Sequence, residues 1–163
     1  MGMTTIDIFE GVVPFFSMLD ESERSTLVDL VEVRNYDPNE TVIDAGSPGD
    51  SIFLINSGLV NVNMRHPDKT IYQMKAGDYF GEMAFFAGTR RSADIVTRDH
   101  SLIGEITKQS LDEYIAQRPS TGCKILYHMA EGLARRLVHS NQEVHKLNTH
   151  LTNYRPSFDR YER

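Results

Sequence analysis

The spacing of apolar positions changes twice along the 163 residues. Near the N-terminus Ile6, Phe9, Val13 and Phe16 recur at helical spacing around Pro14, which predicts two short helices or one broken one. Asp20-Glu21-Ser22-Glu23 then sets an N-cap carboxylate three residues ahead of a glutamate, the pattern of a capping box. It launches a helix with Leu27, Leu30 and Val31 on one face. Asn35-Tyr36-Asp37-Pro38-Asn39 closes this helical lead-in, residues 1–36.

From residue 37 to residue 106 the period falls to two, with frequent punctuation. Thr41-Val42-Ile43 reads as a strand, ended by the turn cluster Ala45-Gly46-Ser47-Pro48-Gly49-Asp50. Ser51 to Ile55 and Leu59 to Met64 are strands separated by Asn56-Ser57-Gly58. His66-Pro67-Asp68 marks a hairpin tip, Thr70 to Met74 runs back, and Lys75-Ala76-Gly77-Asp78 turns again. Ala93 to Thr97 and Ser101 to Ile106 complete the set. Short strands with glycine turns at this interval predict an antiparallel double-stranded β-helix, or jelly roll, which limits exposed edges by curling. Gly46, Gly49, Gly58 and Gly77 are read as turn residues.

The third regime is helical. Lys108 to Gln117 turns Leu111, Tyr114 and Ile115 inward and stops before Pro119. From Ser120 a longer helix repeats Leu126, Ala130, Leu133, Leu137, Ser140, Val144, Leu147 and Leu151 at alternating steps of four and three. That is a heptad seam, the mark of a coiled coil, broken by one polar residue at Ser140. The expected fold class is therefore α+β, mainly β: a jelly roll with N-terminal helices and a long C-terminal dimerisation helix. Residues 1–151 form one domain, with C-terminal helices over 107–151 and a short tail at 152–163.

Composition adds little: 40% hydrophobic and 25% charged residues are ordinary for a soluble globular chain. No apolar run is long enough for a membrane span, and the N-terminus lacks a signal-peptide layout. The lone Cys123 excludes an internal disulfide scaffold and fits a reducing cytoplasm; its helical setting points to a core or interface residue. Charge is uneven. Residues 1–123 carry 10 basic and 19 acidic side chains, residues 124–163 carry 7 and 4. An acidic body is unsuited to neutralising nucleic-acid phosphates.

One stretch carries chemistry: Phe80-Gly81-Glu82-Met83-Ala84-Phe85-Phe86-Ala87-Gly88-Thr89-Arg90-Arg91-Ser92-Ala93. Gly81 permits a positive φ or a close backbone approach. Glu82 to Phe86 is long enough for one helical turn with free N–H groups. An arginine supplies a planar, permanently charged fork suited to a phosphodiester. A buried carboxylate beside that anion needs a hydroxyl to accept from. Together these groups ask for a ligand with one phosphate charge and a neighbouring free hydroxyl.

This stretch resembles the phosphate-binding cassette of cyclic-nucleotide-binding domains, the family of catabolite activator protein and protein kinase A regulatory subunits. Gly81-Glu82 followed by Arg91-Ser92-Ala93 matches the family's order and spacing. The resemblance, over roughly residues 14–147, implies that Arg91 holds the exocyclic phosphate oxygens, aided by backbone N–H groups near Ala84, Ser92 and Ala93. It implies that Glu82 takes the ribose 2′-hydroxyl. Gly46, Gly49, Gly58 and Gly77 fall where the family keeps structural glycines. Met83 lies within the cassette, and Ile71 and Met74 on the preceding strand would line base and ribose. Leu133-Ala134-Arg135-Arg136-Leu137 resembles the family's dimer helix. That likeness places Ser140 and Asn141 on the pair that reads the base and Arg136 near phosphate or base, with the dimer seam running through Leu126, Ala130, Leu133, Leu137, Val144 and Leu147. Arg90 stands where many relatives have proline and is expected to point to solvent.

The implied ligand is a cyclic nucleotide, cAMP ahead of cGMP; Ser92 offers a hydroxyl to a guanine amino group, and serine also occurs there in bacterial cAMP receptors. The implied partners are the nucleotide, a second copy of the chain and an effector protein, with no nucleic acid and no membrane. The expected place is the cytoplasm. After Leu151 the sequence is too short for a helix-turn-helix, so a sensor without a visible output is expected. A non-binding docking module of the same fold is the alternative. A cupin-like metalloenzyme would need converging histidines; His66, His100, His128, His139, His145 and His150 form no His-x-His pair, so no metal, no cofactor and no enzymatic activity are expected.

Overall fold

The computed structural model describes residue 16 and residues 18–64 and 70–153. The expected helices before Phe16 and the hairpin tip at 65–69 lie outside them. The chain falls into two compact units, one ending at Ile125 and one beginning at Leu126.

The first unit opens with α1, Glu21–Val28, capped as its sequence requires. Asp20 Oδ1 accepts from the Glu23 N–H at 2.8 Å, and Glu23 Oε2 accepts from the Asp20 N–H at 3.0 Å. The helix ends at Val28, not beyond Val31. Leu30 and Val31 sit in a turn bonded back to Leu27 and Val28, and Glu32–Tyr36 is already a strand, β1. The helical lead-in thus ends before residue 36. Leu27, Leu30 and Val31 happen to keep helical spacing, but Val33 and Tyr36 add nothing to that face, and β1 gains a ladder against β8 instead.

The remaining strands are β2 (Thr41–Ile43), β3 (Ser51–Ser57), β4 (Leu59–Asn63), β5 (Thr70–Lys75), β6 (Tyr79–Phe80), β7 (Asp94–Thr97) and β8 (Ser101–Thr107). They form two four-stranded sheets, in the orders β1-β8-β3-β6 and β2-β7-β4-β5, with every recorded pairing antiparallel. β6, whose Phe80 the sequence reading took as the first residue of the cassette, is only two residues long, too short to show a period. It pairs Phe80 with Phe53 of β3. Alternating side chains from both sheets make one core: Phe53, Ile55, Phe80 and Ile103 from the first, with Tyr36 at its edge, and Ile43, Val60, Val62, Met74 and Ile95 from the second. The turn glycines hold as read at Gly58, whose φ of +94° only glycine adopts freely and where a Cβ would lie 2.2 Å from Ser101 Oγ.

Between β6 and β7 lies α2, Glu82–Ala87. After β8 come α3, Lys108–Gln117, capped by Thr107, and α4, Pro119–Asn153, with proline at the first helical position where its missing N–H costs nothing. The foot of α4 buries Thr121, Gly122 and Ile125; Cys123 falls on the opposite side and is exposed rather than in the core. A Cβ on Gly122 would lie 2.8 Å from Ile115 Cγ1, so glycine sets how closely α4 approaches α3.

The second unit is the rest of α4. Along it Leu126, Leu137, Val144, Leu147 and Leu151 are exposed, by 36% at Leu126 and 72% at Leu151. Ala130 is exposed and Leu133 half-buried. Among the described residues no helix is long and apolar enough to cross a membrane, and no group of three or more His, Cys, Asp or Glu is placed to hold a metal ion.

Candidate functional site

Gly81 starts the site. It caps α2 with φ +86°, and a Cβ there would stand 2.6 Å from Arg91 Nη1. Only glycine therefore lets the chain leave β6 and begin a helix beneath the arginine. Glu82, the first residue of α2, is buried, as are Ala84 and Phe85; Met83 and Phe86 face outward. The first intrahelical bond is Phe85 N–H to Gly81 C=O, so the N–H groups of Glu82, Met83 and Ala84 are not used within the helix. Gly49 fixes the other flank. A Cβ on it would meet Ala84 Cβ at 2.4 Å and the Thr89 carbonyl at 2.6 Å.

Arg91 returns from the loop after α2 and is 7% exposed. Its guanidinium donates from all three nitrogens: Nε to Pro48 C=O at 3.1 Å, Nη1 to Gly81 C=O at 2.7 Å, and Nη2 to Ser51 C=O at 2.7 Å and Ser51 Oγ at 3.1 Å. Cζ stands 5.7 Å from the Phe53 ring centroid, and Phe53 is stacked on Phe80 at 5.1 Å with 9° between planes. Burial pulls the Arg91 pKa below the usual arginine value, against the opposing charges of Asp50, Glu105 and Glu82. Glu105 is the cross-strand partner of Phe53 and so shares its face of the sheet. The result is a rigid cation in a sheltered place, with a buried carboxylate one residue past the glycine it touches.

Arg90 is exposed, but its Nη1 donates to Gly46 C=O at 2.6 Å, so it is tethered to the turn over Asp44–Ser47 instead of pointing free into solvent. The same turn exchanges backbone bonds with Arg91: Gly46 N–H to Arg91 C=O at 2.8 Å and Arg91 N–H to Ser47 C=O at 3.0 Å. Ser92 is exposed, and Ala93 packs against the core.

The fold brings Gly81, Glu82, Ala84 and Arg91 together. Met83 shares their helix but points outward. Met74 is buried in the core beside Phe53 and Phe80, whereas Ile71 is half-exposed where the β4–β5 register shifts. Arg136, Ser140 and Asn141 belong to the second unit; Arg136 is half-buried, Ser140 and Asn141 are exposed. Sequence reasoning missed the seat of Arg91. Pro48 and Ser51 contribute main-chain oxygens, which no residue type signals, and Ser51 and Phe53 read simply as strand.

Fold, cassette geometry and sequence agree. The model of the cyclic nucleotide-binding domain family matches residues 33–118, and the chain belongs to that family. It is 36% identical over 140 residues to glutaminase 2 of Bradyrhizobium diazoefficiens, covering 86% of this chain and 22% of that one. It is 29% identical over 103 residues to the cAMP-dependent protein kinase regulatory subunit of Colletotrichum orbiculare, covering 63% of this chain and 26% of that one. The chain thus spans about a quarter of the length of these relatives. Among solved structures, a cyclic nucleotide-binding domain from Methylobacillus flagellatus superposes with a TM-score of 0.79 at 23% identity, over 94% of this chain and 88% of that one.

Proposed function

We propose that this chain is a regulatory module that binds a cyclic nucleotide, cAMP, and works as a dimer through α4 without catalysing a reaction. The observation that carries the reading is Arg91, a buried arginine seated against the residue whose left-handed backbone begins the helix of buried Glu82. A permanent cation in a desolvated place is costly unless it has work to do with an anion. Arg91 answers the phosphate, and Nη1 carries a second hydrogen besides the one given to Gly81. Glu82 answers the ribose 2′-hydroxyl. Ile71 and Met74, three apart on β5, face opposite sides of their sheet, so of the two the half-exposed Ile71 is the one open to a base. Relatives named for cAMP dependence and for cGMP dependence match at the same 29% identity, so the choice of adenine is the proposal's own and exposed Ser92 keeps cGMP as the competitor.

Calorimetric titration with cAMP and cGMP tests this. cAMP is expected to bind more tightly than cGMP, and 2′-deoxy-cAMP far more weakly than cAMP, because the deoxy ligand lacks the hydroxyl that donates to the buried Glu82 carboxylate. Equal affinity for the deoxy nucleotide would remove Glu82 from the site.

A second reading, a non-binding docking module of the same fold, is favoured by the same guanidinium. Its donors already serve Pro48, Ser51 and Gly81, which is what a purely structural arginine does. No heat with either nucleotide would select it.

A further inference from the structure

Glu23 does more than cap its own helix. Lys124 Nζ of α4 lies 2.8 Å from both Glu23 Oε1 and Oε2, and Thr121 Oγ1 donates to Oε1 at 2.9 Å. Oε2 also accepts the Asp20 N–H, so Oε1 serves the foot of α4 while Oε2 serves both that foot and its own helix. The Tyr114 hydroxyl of α3 stands 3.2 Å from the Glu23 carbonyl and 3.2 Å from Thr26 Oγ1. Gly122, one residue past Thr121, sits hard against Ile115 of the same α3. The capping glutamate of a helix near the start of the chain is thereby the shared acceptor for residues about a hundred positions later, and none of this belongs to the cassette.

We infer that Glu23 fastens α1 to the foot of α4, so that α1 is carried with any displacement that nucleotide binding imposes on that helix. The inference rests on the nucleotide-binding reading and gives it a direction: the signal leaves the domain on its N-terminal side as well as along α4. A capping glutamate that served only α1 would be satisfied by the Asp20 N–H and water. A tie of this kind moves two elements together because separating them gives up the two Lys124 bonds and the Thr121 bond to one carboxylate.

Amide hydrogen exchange on the full chain tests it, with wild type, Glu23→Gln and Lys124→Gln. Lys124→Gln is the deciding variant, since it leaves the capping box of α1 intact. Without nucleotide it is expected to raise exchange over residues 21–28 by roughly 3- to 10-fold, together with residues 119–125, while β3 and β8 stay unchanged. Glu23→Gln is expected to do the same. With saturating cAMP, wild type is expected to change its exchange in both segments, and Lys124→Gln only over residues 119–125. Unchanged exchange over residues 21–28 in nucleotide-free Lys124→Gln would overturn the fastening. A cAMP response there that survives in Lys124→Gln, or that is missing in a wild type shown by calorimetry to bind cAMP, would overturn the coupling. A wild type that binds no nucleotide fails the nucleotide reading instead, and the nucleotide-free comparison then decides the fastening alone.

Discussion

Because Arg91 donates to Pro48, Ser51 and Gly81, removing it exposes two liabilities at once. Buried carbonyls left without donors cost about 1–3 kcal/mol each where water cannot reach them, so Arg91→Ala is expected to lose about 2–4 kcal/mol of stability. That corresponds to roughly 5–15 °C in Tm for a chain of this size. Nucleotide affinity should fall by about 30- to 1000-fold, the loss of a sheltered charge-assisted pair. Arg90→Ala gives up one exposed bond to Gly46 and should stay within about threefold of wild type in affinity. Calorimetry of the two variants separates these outcomes, and equal losses would show that the cation assignment is wrong. Gly81→Ala is a second test. A non-glycine residue at φ +86° costs about 1–2 kcal/mol, and its Cβ would also press on Arg91 Nη1. Both stability and affinity should drop although no ligand-facing side chain is removed. Gly81, Glu82 and Arg91 are legible in the sequence because their chemistry is in their side chains and their order. The seat of Arg91 is not, since every residue has a carbonyl.

At the scale of elements, α1 shows how a local signal and a tertiary one can occupy the same atoms. Its capping box reads directly from Asp20-Glu21-Ser22-Glu23, yet the partners Lys124 and Thr121 could be found only by folding the chain. Chiefly the Lys124 ammonium holds the Glu23 carboxyl down to about 2 from an ordinary 4.5, helped by the Asp20 N–H. A carboxyl whose folded pKa is depressed contributes stability above its unfolded value and loses it as pH falls toward the folded one. The Tm advantage of wild type over Glu23→Gln should therefore be constant above about pH 5 and close between about pH 4.5 and 2. Scanning calorimetry across that window checks it, and a gap that stays constant down to pH 2 would detach the shift from stability. Element type was legible wherever length and period agreed, as in β3, β8 and α3. It failed at β1, whose exposed charged residues carry no period, and at β6, where two residues cannot show one.

At the scale of the whole molecule, the heptad seam is an apolar face left uncovered among the described residues. Leu137 is 62%, Val144 53% and Leu147 61% exposed on a helix that runs to Asn153. Each leucine fully buried against a partner helix would contribute about 1.5–3 kcal/mol, so two α4 helices packed in parallel have enough apolar surface to hold a dimer. Ser140 sits in that seam and is also the residue that the family likeness assigns to the base, so one helix position would serve both the partner and the ligand. If it does, dimer and ligand are linked, and by reciprocity whatever disturbs one alters the affinity of the other. Leu137→Asp puts like charges across the seam and should yield monomers in sedimentation. It should also weaken nucleotide binding, although Leu137 has no part in the cassette. Ser140→Ala should leave the dimer intact, since it adds an apolar residue to the seam, and weaken binding by about 0.5–1.5 kcal/mol through one lost hydrogen bond. A Leu137→Asp monomer that binds nucleotide as tightly as wild type would break the link, leaving the cassette and the helix as two independent devices on one chain.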